Sequence, residues 1–124
     1  MKRLIYHIYH NPRCSKSRKA LEILKLNTEN YEIINYLQDS INKEAINAVI
    51  NAKNISKNDL IRKNEVVFKD LKLNLNELFT DQIIDIICEN PILLERPLLI
   101  KYVDNSFVKS VIGRPPESIL TLFD

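Results

Sequence analysis

Apolar and aromatic residues fill positions 3–9 almost without a break (Leu4, Ile5, Tyr6, His7, Ile8, Tyr9), which predicts a strand covered on both faces. Asn11-Pro12 ends it, because the residue before a proline avoids the helical region. Helical spacing begins near Cys14 and runs to about Leu26. Ala20, Leu21, Ile23 and Leu24 make its apolar stripe, with Lys19 and Lys25 on the solvated side. Residues 27–30 read as a turn and residues 31–35 as a short strand. Strand, helix and strand form a βαβ unit whose crossover is expected to be right-handed.

The pattern then turns helical. Ser40 is expected to cap a helix whose apolar face is Ile41, Ala45, Ile46, Val49 and Ile50. Residues 58–71 predict short helices carrying Leu60, Ile61, Val66, Val67, Phe68 and Leu71. Thr80-Asp81 starts a core helix, with Ile83, Ile84, Ile86 and Ile87 facing inward, and Asn90-Pro91 ends it. Residues 98–103 and 107–111 predict a hairpin about the turn Asp104-Asn105. Gly113, the only glycine, stands where a backbone conformation disfavoured by other residues is expected. Pro115-Pro116-Glu117 opens a last helix through Leu122. The order βαβ, helical insert, ββα is an α/β layout built on a mixed four-stranded sheet.

At 124 residues the chain predicts a single domain, 1–124. A net charge of +2 gives no support for nucleic-acid binding. No apolar run reaches the length of a membrane span. Met1-Lys2-Arg3 leads directly into a strand whose Tyr and His residues suit a secretory signal poorly. Two distant cysteines make no disulfide framework, so a reducing cytoplasmic location is expected. Cys88, among isoleucines, reads as a structural apolar residue.

Cys14 differs, because charged and polar neighbours are a poor setting for a core side chain. It lies where a strand ends and a helix starts. Unpaired N–H groups there favour a thiolate and can hold an oxyanion. Arg13, Lys16 and Arg18 add cationic charge. His10 and Ser17 are near enough in sequence to hydrogen-bond the thiolate; equally, His10 reads as a strand-end histidine and Ser17 as a first-turn residue. Arg62, Arg96 and Arg114, three of six arginines, lie in separate segments and read, by spacing alone, as surface ion-pair residues.

The stretch Tyr9-His10-Asn11-Pro12-x-Cys14-x-x-Ser17-Arg18 resembles the active-site loop of the glutaredoxin-linked arsenate reductases. Three later segments are similar to that family's arginine segments: Leu60-Ile61-Arg62-Lys63-Asn64, Asn90-Pro91-Ile92-Leu93-Leu94-Glu95-Arg96-Pro97, and Gly113-Arg114-Pro115 with Glu117. The resemblance runs through nearly the whole chain and implies a thioredoxin-like three-layer fold with a helical insertion before the hairpin. It implies Cys14 as catalytic thiol, assisted by His10 and Ser17. Arg62, Arg96 and Arg114 are then arsenate ligands, and Asn11, Pro12 and Pro97 structural residues beside the site, with a cis peptide before Pro97.

The activity so implied is reduction of arsenate to arsenite, with glutathione as co-substrate, glutaredoxin as partner, and no metal or bound cofactor. A monomer is expected. Ser17 stands where a Cys-x-x-Cys pair would have its second thiol, so that thiol comes from elsewhere. Two other functions fit related chains: a glutathione-dependent thiol oxidoreductase of another substrate, and a redox-responsive regulator docked on RNA polymerase. Three retained arginines disfavour the first, and the missing second cysteine disfavours the other.

Overall fold

Leu4–Tyr9 forms β1, one of the two inner strands of a four-stranded sheet. The computed structural model describes residues 2–124. Its helices and strands are α1 (Ser15–Asn27), β2 (Tyr31–Ile34), α2 (Lys43–Asn51), α3 (Lys57–Leu60), α4 (Val66–Asp70), α5 (Thr80–Glu89), β3 (Leu98–Val103) and β4 (Ser106–Ile112). Short 3-10 helices span Leu75–Glu77, Pro91–Leu93 and Pro116–Phe123. The strand order is β2-β1-β3-β4; β1 runs parallel to β2, and β3 is antiparallel to both β1 and β4. This is the mixed sheet expected from the order of elements.

The chain forms two compact units. The first comprises residues 1–39 and 96–124 and holds the sheet. Alternation along β1 sends Tyr6 and Ile8 to one face, beside Leu99 of β3. Ala20 and Leu24 of α1, one helical turn apart, pack there with Ile119 and Leu122. Burying a side chain such as Leu24, which is wholly enclosed, contributes about 1.5–3 kcal/mol. Asp104 and Asn105 both have positive φ, 50° and 67°, in the two-residue loop between β3 and β4. Short polar side chains tolerate that region, and a turn of this hand matches the strand twist.

The second unit, residues 40–95, is helical. Ala45, Ile46 and Val49 of α2 and Ile83, Ile84 and Ile87 of α5 are buried, and Lys43 joins Asp85 across those helices at 2.9 Å.

Two expectations change. Asn42 rather than Ser40 caps α2, its Oδ1 accepting the Ala45 N–H at 3.1 Å; Ile41 is buried, so the chain is already anchored before the helix begins. Of the apolar residues carried by the short helices, Val66 and Leu71 are exposed. The last helix is 3-10 throughout. Its buried residues Ile119 and Leu122 are three apart, a spacing that serves a three-residue turn as well as an α-helical face.

Candidate functional site

Between β1 and α1 the backbone turns on Asn11. Its Oδ1 accepts the Arg13 N–H at 3.0 Å, its carbonyl accepts the Cys14 N–H at 3.0 Å, and its own N–H donates to Ser17 Oγ at 3.1 Å. The first bond is the local side-chain turn for which asparagine is suited. Cys14 follows as the N-cap of α1, in extended conformation, and its carbonyl accepts the Arg18 N–H at 3.0 Å. One residue thus both starts the helix and carries the thiol.

Cys14 is half-buried, and burial pushes its thiol up. The Ser17 N–H, a hydrogen bond and the charge from Arg96, and the Lys16 N–H all pull the other way, and the net result is a lowered pKa. As neutral thiol the side chain makes no capping hydrogen bond, so these donors act chiefly on the charged form. Arg114 Nη1 lies 4.0 Å from the sulfur and donates to the Arg96 carbonyl at 3.1 Å. Two guanidinium groups therefore border one sulfur. Helix amides and Arg96 lead the groups that lower the thiol pKa, whereas the sequence pointed first to the local cations Arg13, Lys16 and Arg18.

His10 and Ser17 are enclosed and paired, with Nδ1 2.6 Å from Oγ. Burial lowers the His10 pKa, and the charges of Arg18 and Lys25 lower it further, so the imidazole is neutral near pH 7. Ser17 serves the thiolate through its backbone N–H, while its hydroxyl ties His10 to the Asn11 amide. Arg18 closes the loop by donating to the Pro12 carbonyl at 2.9 Å.

The Arg96–Pro97 peptide is cis, as the resemblance implies, and so is Arg114–Pro115. Gly113 has no positive φ, so its expected conformational role is overturned. A Cβ there would sit 2.7 Å from Pro97 Cγ, 3.2 Å from Ile119 Cγ2 and 3.3 Å from Ala20 Cβ. Glycine is required for close approach: it lets the segment bearing Arg114 lie against Pro97, with the Gly113 N–H on the Pro97 carbonyl at 2.9 Å.

The model of the ArsC family matches residues 9–122. The chain belongs to that family. Among its relatives, the uncharacterized protein YfgD of Escherichia coli K12 is 37% identical over 116 residues, covering 93% of each chain. The arsenate reductase of Neisseria meningitidis serogroup A is 33% identical over 113 residues, 90% of this chain and 92% of that one. The solved arsenate reductase from Vibrio cholerae is similar with a TM-score of 0.80 and 30% identity, covering 95% of this chain and 97% of that one. The fold is the thioredoxin-like α/β arrangement.

In this ArsC-family chain, Cys14, His10, Ser17, Arg96, Arg114, Asn11, Pro12 and Pro97 all lie in the first unit. Arg62 lies in the second. There an isolated bridge between Ile61 and Leu94 aligns it with Glu95, and its side chain bonds Glu95 at 2.8 Å and Glu65 at 3.0 Å. Cys88 keeps its proton: burial raises its pKa, against a smaller opposing effect of Lys43, and its sulfur faces the Ile41 carbonyl at 3.8 Å. Among the described residues no group of three or more His, Cys, Asp or Glu could hold a metal ion, and no helix is long and apolar enough to cross a membrane.

Proposed function

We propose that the chain reduces arsenate to arsenite through the Cys14 thiolate, with glutathione and glutaredoxin supplying the electrons. The supporting observation is the pair of guanidinium groups at the nucleophile, Arg96 on the sulfur and Arg114 at 4.0 Å. Helix amides and one cation suffice to favour a thiolate; a second guanidinium beside it suits a tetrahedral oxyanion, which forked donors bind well. The names of the Neisseria and Vibrio relatives point the same way.

In this reading arsenate docks on Arg96, Arg114 and the helix amides. The Cys14 sulfur bonds arsenic and a protonated oxygen leaves as water. Glutathione forms a second sulfur–arsenic bond as another water leaves. A glutaredoxin thiol then attacks the glutathione sulfur. That sulfur–arsenic bond breaks with its electron pair left on arsenic, As(V) becomes As(III), and a glutaredoxin–glutathione disulfide forms. Water cleaves the remaining Cys14–arsenic bond, releasing arsenite and regenerating the thiol. Residence in the cytoplasm, where thiols stay reduced, fits the two free cysteines.

The test is NADPH oxidation coupled through glutathione reductase, glutathione and glutaredoxin. The expected result is a rate that depends on arsenate and falls roughly ten- to a hundredfold in Arg96→Lys and Arg114→Lys, which keep charge but lose the fork. Arsenate-independent turnover of a small disulfide, insensitive to both substitutions, would replace this reading with a general thiol oxidoreductase.

A further inference from the structure

We infer that Arg62 is a positioning residue for Arg96: it clamps Glu95, fixing the backbone that presents the Arg96 guanidinium and carbonyl, and does not itself bind the oxyanion. The inference rests on the reading above, in which Arg96 and Arg114 hold that oxyanion. Backbone bonds form the base of the clamp. The Arg62 N–H donates to the Leu93 carbonyl and the Glu95 N–H to the Leu60 carbonyl, each at 2.8 Å, on either side of the isolated bridge between Ile61 and Leu94. Leu60, Ile61, Leu93 and Leu94 are all buried, so close packing leaves this short pairing no room to slide. Side chains then close it. Arg62 Nη1 donates to Glu95 Oε1 at 2.8 Å, and Nε to Glu65 Oε1 at 3.0 Å. The side chains of Arg62, Glu95 and Glu65 are only 23%, 18% and 28% exposed, so water screens these pairs in part.

The Arg96 backbone carries more than its own side chain. Its carbonyl accepts Arg114 Nη1 at 3.1 Å, and that same nitrogen lies 4.0 Å from Cys14 Sγ. The Arg96 guanidinium hydrogen-bonds the sulfur. Arg96 is the residue after Glu95, so a shift of the Glu95 backbone displaces both guanidinium groups that border the thiol. Charge argues against Arg62 as a direct ligand. Its cation stands between two carboxylates, and the trio is net negative, which repels an anion. To take an oxyanion Arg62 would have to leave Glu65 and Glu95, stranding two partly buried carboxylates.

The experiment follows the alkylation rate of Cys14 against pH and the inorganic sulfate concentration that halves that rate. Glu95→Gln is the decisive variant: it keeps an acceptor for Arg62 but loses the charge that strengthens the bond. Removing that negative charge would by itself move the inflection down and tighten sulfate protection, whereas loosening Arg96 does the opposite. Arg62→Gln and Glu95→Gln are each expected to move the inflection up and to raise the halving sulfate concentration about 2- to 10-fold, with the double variant no worse than the worse single one. Glu65→Gln, at a residue not joined to Arg96, is expected to leave the halving concentration within about twofold. Tighter sulfate protection in Glu95→Gln or Glu65→Gln overturns the proposal and makes Arg62 an anion ligand. Lowered stability in urea with both readouts unmoved also overturns it and leaves Arg62 a support of the fold alone. If the expected shifts appear but arsenate is not reduced, the clamp stands and the arsenate reading fails.

Discussion

Gly113→Ala isolates the packing that carries Arg114 to the site. The new methyl group would stand 2.7 Å from Pro97 Cγ, closer than side-chain carbons approach, with Ile119 Cγ2 at 3.2 Å and Ala20 Cβ at 3.3 Å closing two further directions. Ala20 and Ile119 are wholly buried, so neither has solvent to move into. Overpacking of this kind costs about 1–3 kcal/mol. Against it, alanine restricts the unfolded chain and returns about 0.4–1 kcal/mol, since φ at Gly113 is not positive. The net expectation is a loss of about 0–2.6 kcal/mol, centred near about 1.3 kcal/mol, or roughly 5 °C in the melting temperature of a chain this size. Urea unfolding followed by circular dichroism measures the loss. Gly113→Asn separates the two explanations: a left-handed backbone would tolerate asparagine better than alanine, whereas a steric limit makes the larger side chain worse. An alanine variant as stable as the unsubstituted protein, or an asparagine variant better than alanine, would refute the packing argument.

Cys14→Ser is expected to abolish arsenate turnover and Cys88→Ser to retain most of it; equal losses would show that the raised pKa of Cys88 had been misread as inertness. Alkylation of Cys14 should inflect below the ordinary thiol value, and Arg96→Gln should move that inflection upward. Because the folded pKa of Cys14 lies below its unfolded value, the native state binds fewer protons between the two. Its contribution to stability is therefore present above the unfolded value and lost as pH falls through the folded one, which pH-dependent urea titrations of the protein and of Cys14→Ser would reveal. Arg62→Gln leaves Glu65 and Glu95 without their cation and should cost about 1–3 kcal/mol in urea unfolding, while protection of Cys14 by sulfate falls less than in Arg96→Gln.

Strands were legible where pattern and punctuation agreed. Mainly apolar runs marked β1 and β3, and Asp104-Asn105 marked the turn between β3 and β4 because both residues accept positive φ. The Cys14 loop was legible because its geometry is local: Asn11, Cys14 and Ser17 lie within seven residues and bond one another. What pattern could not supply was distance across the sequence. Spacing does not disclose that Arg96 acts on the thiol, since 82 positions separate it from Cys14. Gly113 was conspicuous as the only glycine, but its reason lies in Pro97, Ala20 and Ile119, none of them adjacent. The 3-10 form of the last helix was hidden because Ile119 and Leu122 satisfy either helical period.

The first unit is discontinuous, with the helical unit lying between its two halves in the chain. During synthesis, Cys14 emerges early, and residues 40–95 follow before β3, β4 and the last helix are made. Until then α1 has neither Leu99 nor Ile119 to pack on, and a 13-residue helix alone is marginal in water. Arg96 and Arg114 are likewise still to come. A nascent chain made only as far as residue 95 thus carries Cys14 without Arg96, Arg114 or the packing that holds α1, and the thiol gains those cations only when the later segments have folded onto the first.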